Sequence, residues 1–198
     1  MTHRSRMQSE SARALTVQWI AAAARPVLAL AIVFGGQLDR VSHRDWTTVD
    51  AVTAAISAWA AAQFAHAHRW RDRAAIVAAA AFAVSAGGEV AVVVTRESHL
   101  ALYVANLAGL VGLTANLRAV EHALDAVGDG ADAGLAHVIM AMFGIIAAVY
   151  AVSLGSGGFA CFAGIGYMLL MLVYPATLGV AARALELRER RLPHARIS

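Results

Sequence analysis

The chain contains no lysine; all 16 basic residues are arginine. That absence removes a retinal Schiff base, a catalytic lysine imine and a Walker-type phosphate loop together, because each needs the ε-amine. A single cysteine, Cys161, excludes an intramolecular disulfide, a CxxC redox pair and a cysteine-rich metal site. Charge is scarce as well. Only 15% of the 198 residues are charged, where a soluble domain carries about a quarter.

What fills the space is apolar. The chain is 60% hydrophobic, with a mean hydropathy of +0.62, and a water-soluble core of this length cannot absorb that much. We therefore read an all-α integral membrane protein. The net charge of +3 and pI near 9.6 arise from arginines flanking apolar segments, so they point to membrane lipids and not to nucleic acid.

Six segments have the length of a membrane span: 14–36, 48–67, 74–95, 99–120, 134–154 and 158–182. Arg4 and Arg6 precede the first, as they would a signal peptide. Arg25-Pro26 interrupts that run, however, and no small-residue cleavage pattern follows it, so it reads as an uncleaved span. Arginine then orients the bundle. The N-terminal tail, the second connection (His66 to Arg73) and the C-terminal tail hold eleven arginines; the opposite connections hold Arg40, Arg44 and Arg96, each with an acidic neighbour. The expectation is a six-helix transmembrane bundle of the cell (plasma) membrane with both termini cytoplasmic. Residues 1–13 form an N-terminal tail, 14–182 the bundle and 183–198 a basic tail, whose Ala184 to Arg191 extends the sixth helix until Pro193 ends it.

Trp46 and Trp70 fall at span ends, where indole anchors at the headgroups, and Arg25 reaches cytoplasmic headgroups from within the first span. The spans are rich in alanine and glycine, which let helix backbones approach closely. Gly158, Ala163, Gly164 and Gly166 in the sixth span serve either a tight monomer or a homo-oligomer or larger membrane complex.

Ionisable groups inside a bilayer are costly and are the default functional candidates. Glu89 lies roughly 9 Å from the outer end of the third span, and Asn106 at a comparable depth in the fourth. Tyr103 and Tyr167 fall in the same slab, and Gly87-Gly88 leave room for a ligand or a neighbouring backbone. Two readings of Glu89 stand: a carboxyl that handles a proton or contacts a ligand, or a protonated carboxyl that ties helices together. A second, cytoplasmic layer holds Gln63, His66, His68, Asn116, Arg118, Glu121, His122, Asp125 and His137. A metal or b-type haem on His66, His122 and His137 would need three helix ends to converge, and no HxxxH or HExxH spacing supports it. A local salt-bridge cluster around Arg118 and Glu121 explains the same residues. No motif implies a cofactor, and the Gly155 to Gly158 run has neither the preceding strand nor the lysine of a nucleotide loop.

Function therefore narrows to a transport-type protein or an accessory subunit of a membrane assembly, with Glu89 as its polar centre. The alternatives are an embedded enzyme using Glu89 as general acid on a lipid or isoprenoid, and a haem or quinone subunit.

Overall fold

The computed structural model describes residues 3–34, 43–95, 99–152 and 157–191, with side chains over 9–24, 26–28, 45–95, 100–152 and 169–187. Among the described residues every regular element is a helix: α1 His3–Phe34, α2 His43–Ala67, α3 Arg73–Thr95, α4 His99–Val127, α5 Gly130–Val152 and α6 Gly157–Arg191. The described part of each expected span lies on one helix. α1, α4, α5 and α6 overhang their spans chiefly at the ends that the arginine pattern assigns to the cytoplasm, and α6 runs through Ala184 to Arg191 as its helix formers require.

Each helix packs on its neighbours in sequence, and α6 returns to α1, so the six close into a ring. Adjacent helices run antiparallel, as short connections demand. Phe82, Ser85 and Gly88 of α3 meet Gly112, Gly109 and Ala105 of α4 in reverse order. Tyr103 near the start of α4 meets Ala151 at the end of α5, while Glu121 near the end of α4 meets His137 near the start of α5.

The core is built from small residues. Ala60, Ala61, Ala65, Ala78, Ala105, Ala119 and Ala136 are fully buried around Leu15, Phe64, Leu117, Phe143 and Leu178, which is how a bundle packs when lipid supplies no hydrophobic drive between helices. Large apolar side chains point outward instead: Val94 and Leu100 are 73% exposed and Val152 86%. Such a surface would be costly in water over this extent.

Four described stretches are long and apolar enough to cross a bilayer: Arg73–Thr95, Leu100–Val127, Gly130–Val152 and Leu169–Leu187. α2 falls short because Asp50, Thr53, Ser57, Gln63 and His66 dilute it. Much of the apolar half of α1 lies outside the described side chains. The fold is thus all-α, with six helices of which four meet the spanning criterion.

Two helices end in the same hydrogen-bonded motif. At the end of α4 the Asp129 N–H bonds Leu124 O at 3.0 Å and Gly128 N–H bonds Asp125 O at 2.9 Å, with Gly128 at φ 76°. After α2, Trp70 N–H bonds Ala65 O at 2.7 Å and Arg69 N–H bonds His66 O at 2.8 Å, with Arg69 at φ 56° and Trp70 at φ 57°. Both are Schellman caps, but the second places two bulky residues where glycine is favoured.

Candidate functional site

The depth that singles out Glu89 also holds for two other residues. Glu89 lies six residues before the end of α3, Asn106 seven after the start of α4 and Asp50 seven after the start of α2. At 1.5 Å per residue all three sit roughly 10 Å from the same face of the bundle. They line one cavity, of about 70 Å³, enclosed by α1, α2, α3, α4 and α6. Thr53, Ser57 and Ser85 add hydroxyls, and alanines, Gly109, Phe82, Leu113 and Met171 complete the wall.

Local sequence explains the placement. Asp50, Thr53 and Ser57 are spaced three and four apart, so they share one face of α2, directed into the ring. Ser85 and Glu89 share a face of α3 by the same rule. Glu89 is 4% exposed. Gly88 brings the two backbones together beside it, since a Cβ there would stand 2.8 Å from Ala105 Cβ and 3.0 Å from Ala101 O. Gly87 faces open space. The room left by the glycine pair is therefore used by the neighbouring helix at Gly88.

One turn toward the end of the bundle where α1 begins, the cavity meets a polar floor. Gln18 lies three residues from Ala21, Asn116 three from Leu113 and Tyr174 three from Met171. Gln18 Nε2 donates to Asn116 Oδ1 at 3.0 Å and to Ser57 O at 3.4 Å. Asn116 Nδ2 donates to the Tyr174 hydroxyl at 2.8 Å, and the Tyr174 ring stands edge-on to Phe143. Gln18, Asn116 and Tyr174 are all buried. The network joins α1, α2, α4 and α6 across the ring. It carries no ionisable group in the physiological range, so it binds the helices without offering a relay for charge.

The other residues singled out by sequence go elsewhere. Asn106 Nδ2 donates to the Tyr150 hydroxyl at 3.2 Å, which holds its amide between the cavity and α5. Tyr103 stacks on Tyr150 and donates to Ala151 O at 3.2 Å; it is not a wall of the cavity. The Tyr167 and Arg25 side chains lie outside those described. Trp46 sits in the first turn of α2 and the exposed Trp70 just beyond its end.

The layer that the arginine pattern assigns to the cytoplasm is a set of local pairs. Arg118 donates to Glu121 at 2.7 Å, and the other Glu121 oxygen meets His137 Nδ1 at 3.0 Å. His122 Nδ1 stands 3.6 Å from Asp72, whose second oxygen caps α3 through the Ala74 N–H at 2.9 Å. His66 lies edge-on to Trp70 and beside Glu10, Arg13 and Gln63. The three histidines thus serve three different partners, and among the described residues no three His, Cys, Asp or Glu side chains gather as a metal would require. His68 stacks on Phe64 and bonds the Ser11 hydroxyl at 3.1 Å. Burial there holds its imidazole below the usual histidine range, although Asp72 pulls the other way.

Asp50 and Thr53 of the cavity and Gln18 and Tyr174 of the floor are polar residues that sequence reasoning missed. Asp50 sits near the start of its span and passes for a rim charge; its register with Thr53 and Ser57 is the signal that places it inward. Compared with protein-family models, curated proteins and solved structures, the chain gives no match.

Proposed function

We propose that the chain is a six-span, transport-type or accessory protein of the plasma membrane, with both termini cytoplasmic, whose cavity handles a proton or a small cation. The observation that carries this reading is the pair of carboxyls, Asp50 and Glu89, facing one small cavity otherwise walled by hydroxyls, an amide and apolar groups. Two carboxylates facing one low-dielectric space repel each other, so the site favours holding a proton or a cation between them. Oxygen is also the donor that hard cations take. The volume supports the same choice. Pockets for organic ligands run to roughly 300–1,000 Å³, whereas about 70 Å³ suits a few waters or an ion far better than an isoprenoid.

Six spans are supported by the ring, in which α1 and α2 pack on helices that do meet the spanning criterion. α2 also carries Trp46 at one end and Trp70 just past the other. About 21 residues of helix between them rise roughly 32 Å, close to the ~30 Å hydrocarbon core that aromatic residues bracket.

Dicyclohexylcarbodiimide tests the site directly, because a protonated carboxyl in apolar surroundings adds across its C=N bond and is trapped as an N-acylurea. In membranes, Glu89 is expected to be labelled, with protection by alkali cations or by raised pH, and Glu89→Gln is expected to abolish proton or cation flux in proteoliposomes. Full flux in Glu89→Gln, which keeps size and hydrogen bonding but exchanges no proton, reduces Glu89 to a tie between helices and overturns the proposal.

A further inference from the structure

The outer surface carries a second concavity, which shares no lining residue with the carboxyl cavity. It is a groove of about 490 Å³ between α3, α4 and α5. Its bed is small or apolar: Val77, Val111, Ala115, Met140, Gly144 and Ala147. Thr114, also in the bed, turns its hydroxyl to its own helix at Leu110 O, 2.9 Å away, so it presents no free donor to an occupant. Gly144 makes the groove deep, since a Cβ there would meet nothing within 4 Å.

Charge closes one end only. Arg73, the first residue of α3, and Arg118, toward the end of α4, both border the groove at the end assigned to the cytoplasm. Arg118 is already bonded to Glu121. Arg73 is exposed, and the described residues give it no carboxylate partner. Arg73 also borders the adjoining concavity with Arg71, His68 and His122, where Asp72 is the one carboxylate and is engaged by His122 and the start of α3. From Arg118 the bed runs outward through Ala115 to Val111, and on α5 from Met140 to Ala147, each a rise of roughly 10 Å.

We infer that this groove binds an anionic glycerophospholipid, its phosphodiester at Arg73 and Arg118 and one acyl chain along the bed over Gly144. An apolar channel with guanidinium at one end matches a molecule that is anionic at one end and hydrocarbon for the rest. Neither a free phosphate nor an uncharged lipid uses both halves. The inference rests on the membrane-spanning reading, and it is independent of what the carboxyl cavity carries.

The test begins with alkaline carbonate extraction of membranes, in which a spanning protein stays in the pellet. The detergent-purified full chain is then titrated with phosphatidylglycerol, phosphatidylcholine and inorganic phosphate, and bound lipid is read by native mass spectrometry beside the thermal midpoint. Phosphatidylglycerol is expected to bind most tightly. Arg73→Gln is expected to weaken it about fivefold, the factor for one arginine at an anionic lipid surface, and to leave phosphatidylcholine unchanged. Gly144→Leu fills the bed without a clash at its Cβ and is expected to lose lipid binding while keeping the lipid-free midpoint. Equal retention of the two lipids by the wild type, or wild-type lipid binding in Gly144→Leu, overturns the inference alone. So does a midpoint shift by inorganic phosphate as large as that by phosphatidylglycerol. A chain released by carbonate overturns the spanning reading as well.

Discussion

Two adjacent glycines ought to behave as opposites. Gly87→Ala places a methyl where nothing lies within 4 Å, whereas Gly88→Ala places one 2.8 Å from Ala105 Cβ, 3.0 Å from Ala101 O and 3.2 Å from Ala105 Cα. Carbon atoms attract best at about 3.5–4.0 Å, so at Gly88 the α3 and α4 backbones must part by several tenths of an ångström. Parting them weakens contacts along the most extensive helix pair in the ring, and overpacking of this kind costs ~1–3 kcal/mol. Both substitutions also gain up to about 1 kcal/mol from replacing glycine within a helix. The expected balance is neutral to slightly stabilised for Gly87→Ala and destabilised by about 1–2 kcal/mol for Gly88→Ala. Unfolding of the detergent-solubilised protein by graded sodium dodecyl sulfate, followed by loss of helical circular dichroism, measures both against the wild type. A control sharpens the cause: Ala105→Gly removes the closest clashing methyl and should restore part of the loss in the Gly88→Ala background but not in the Gly87→Ala background. Equal stability of the two single variants would refute the close approach of α3 and α4 beside Glu89.

The caps after α2 and α4 predict opposite signs for similar changes. Arg69→Gly relieves a left-handed arginine and should raise the thermal midpoint, while Gly128→Ala imposes the same strain and should lower it, each by about 1 kcal/mol. In the cavity floor, Asn116→Leu removes the acceptor of the Gln18 amide and the donor to the Tyr174 hydroxyl; a double-mutant cycle with Gln18→Leu should return a coupling of about 0.6–1.7 kcal/mol, the range for hydrogen bonds between membrane helices, and zero coupling would dissolve the network. His68 gives a pH dependence. Its folded imidazole titrates below the usual histidine range because it is buried, so the unfolded chain takes up the proton first and stability falls as pH drops below about 6.5 toward the folded value. His68→Gln, which can still bond Ser11, should flatten that part of the midpoint-against-pH curve; an unchanged slope assigns it to other groups.

Helix positions were readable from sequence because each needs only a run of apolar residues, and the described part of every expected span falls on one helix. What hydropathy reads poorly is a helix whose polar residues turn inward. α2 is that case: Asp50, Thr53 and Ser57 lower its apolar score, yet they line the cavity. The same residues weaken α2 as a span and supply the cavity with a carboxyl and two hydroxyls. Glu89 and Asn106 could be brought together by depth alone, because rise per residue is fixed. Depth says nothing of azimuth, and so it grouped Tyr103 with them although that side chain turns to α5. The histidines of the cytoplasmic layer show the same limit: shared depth suggested one cluster, whereas short-range pairs with Asp72 and Glu121 satisfy two of them separately.

The floor beneath the cavity bears on how transport would have to work. Protons or ions reaching Glu89 and Asp50 from the outer side meet Gln18, Asn116 and Tyr174, which are packed and mutually hydrogen-bonded. An amide does not readily pass a proton at neutral pH, and the network leaves no charged group to escort an ion. Conduction through this arrangement would need the floor to open, whereas a carrier needs the floor closed while the outer side is open. The two modes therefore separate on one variant. Asn116→Ala opens the floor by removing the amide that links Gln18 to Tyr174, at a cost of about 1–3 kcal/mol in stability. In proteoliposomes a carrier should become leaky, losing its dependence on a counter-gradient while keeping its requirement for Glu89. A channel whose gate is this network should show raised flux with unchanged selectivity. Flux unaltered in either respect, in a variant shown to be folded by its thermal midpoint, would remove the floor from the pathway altogether.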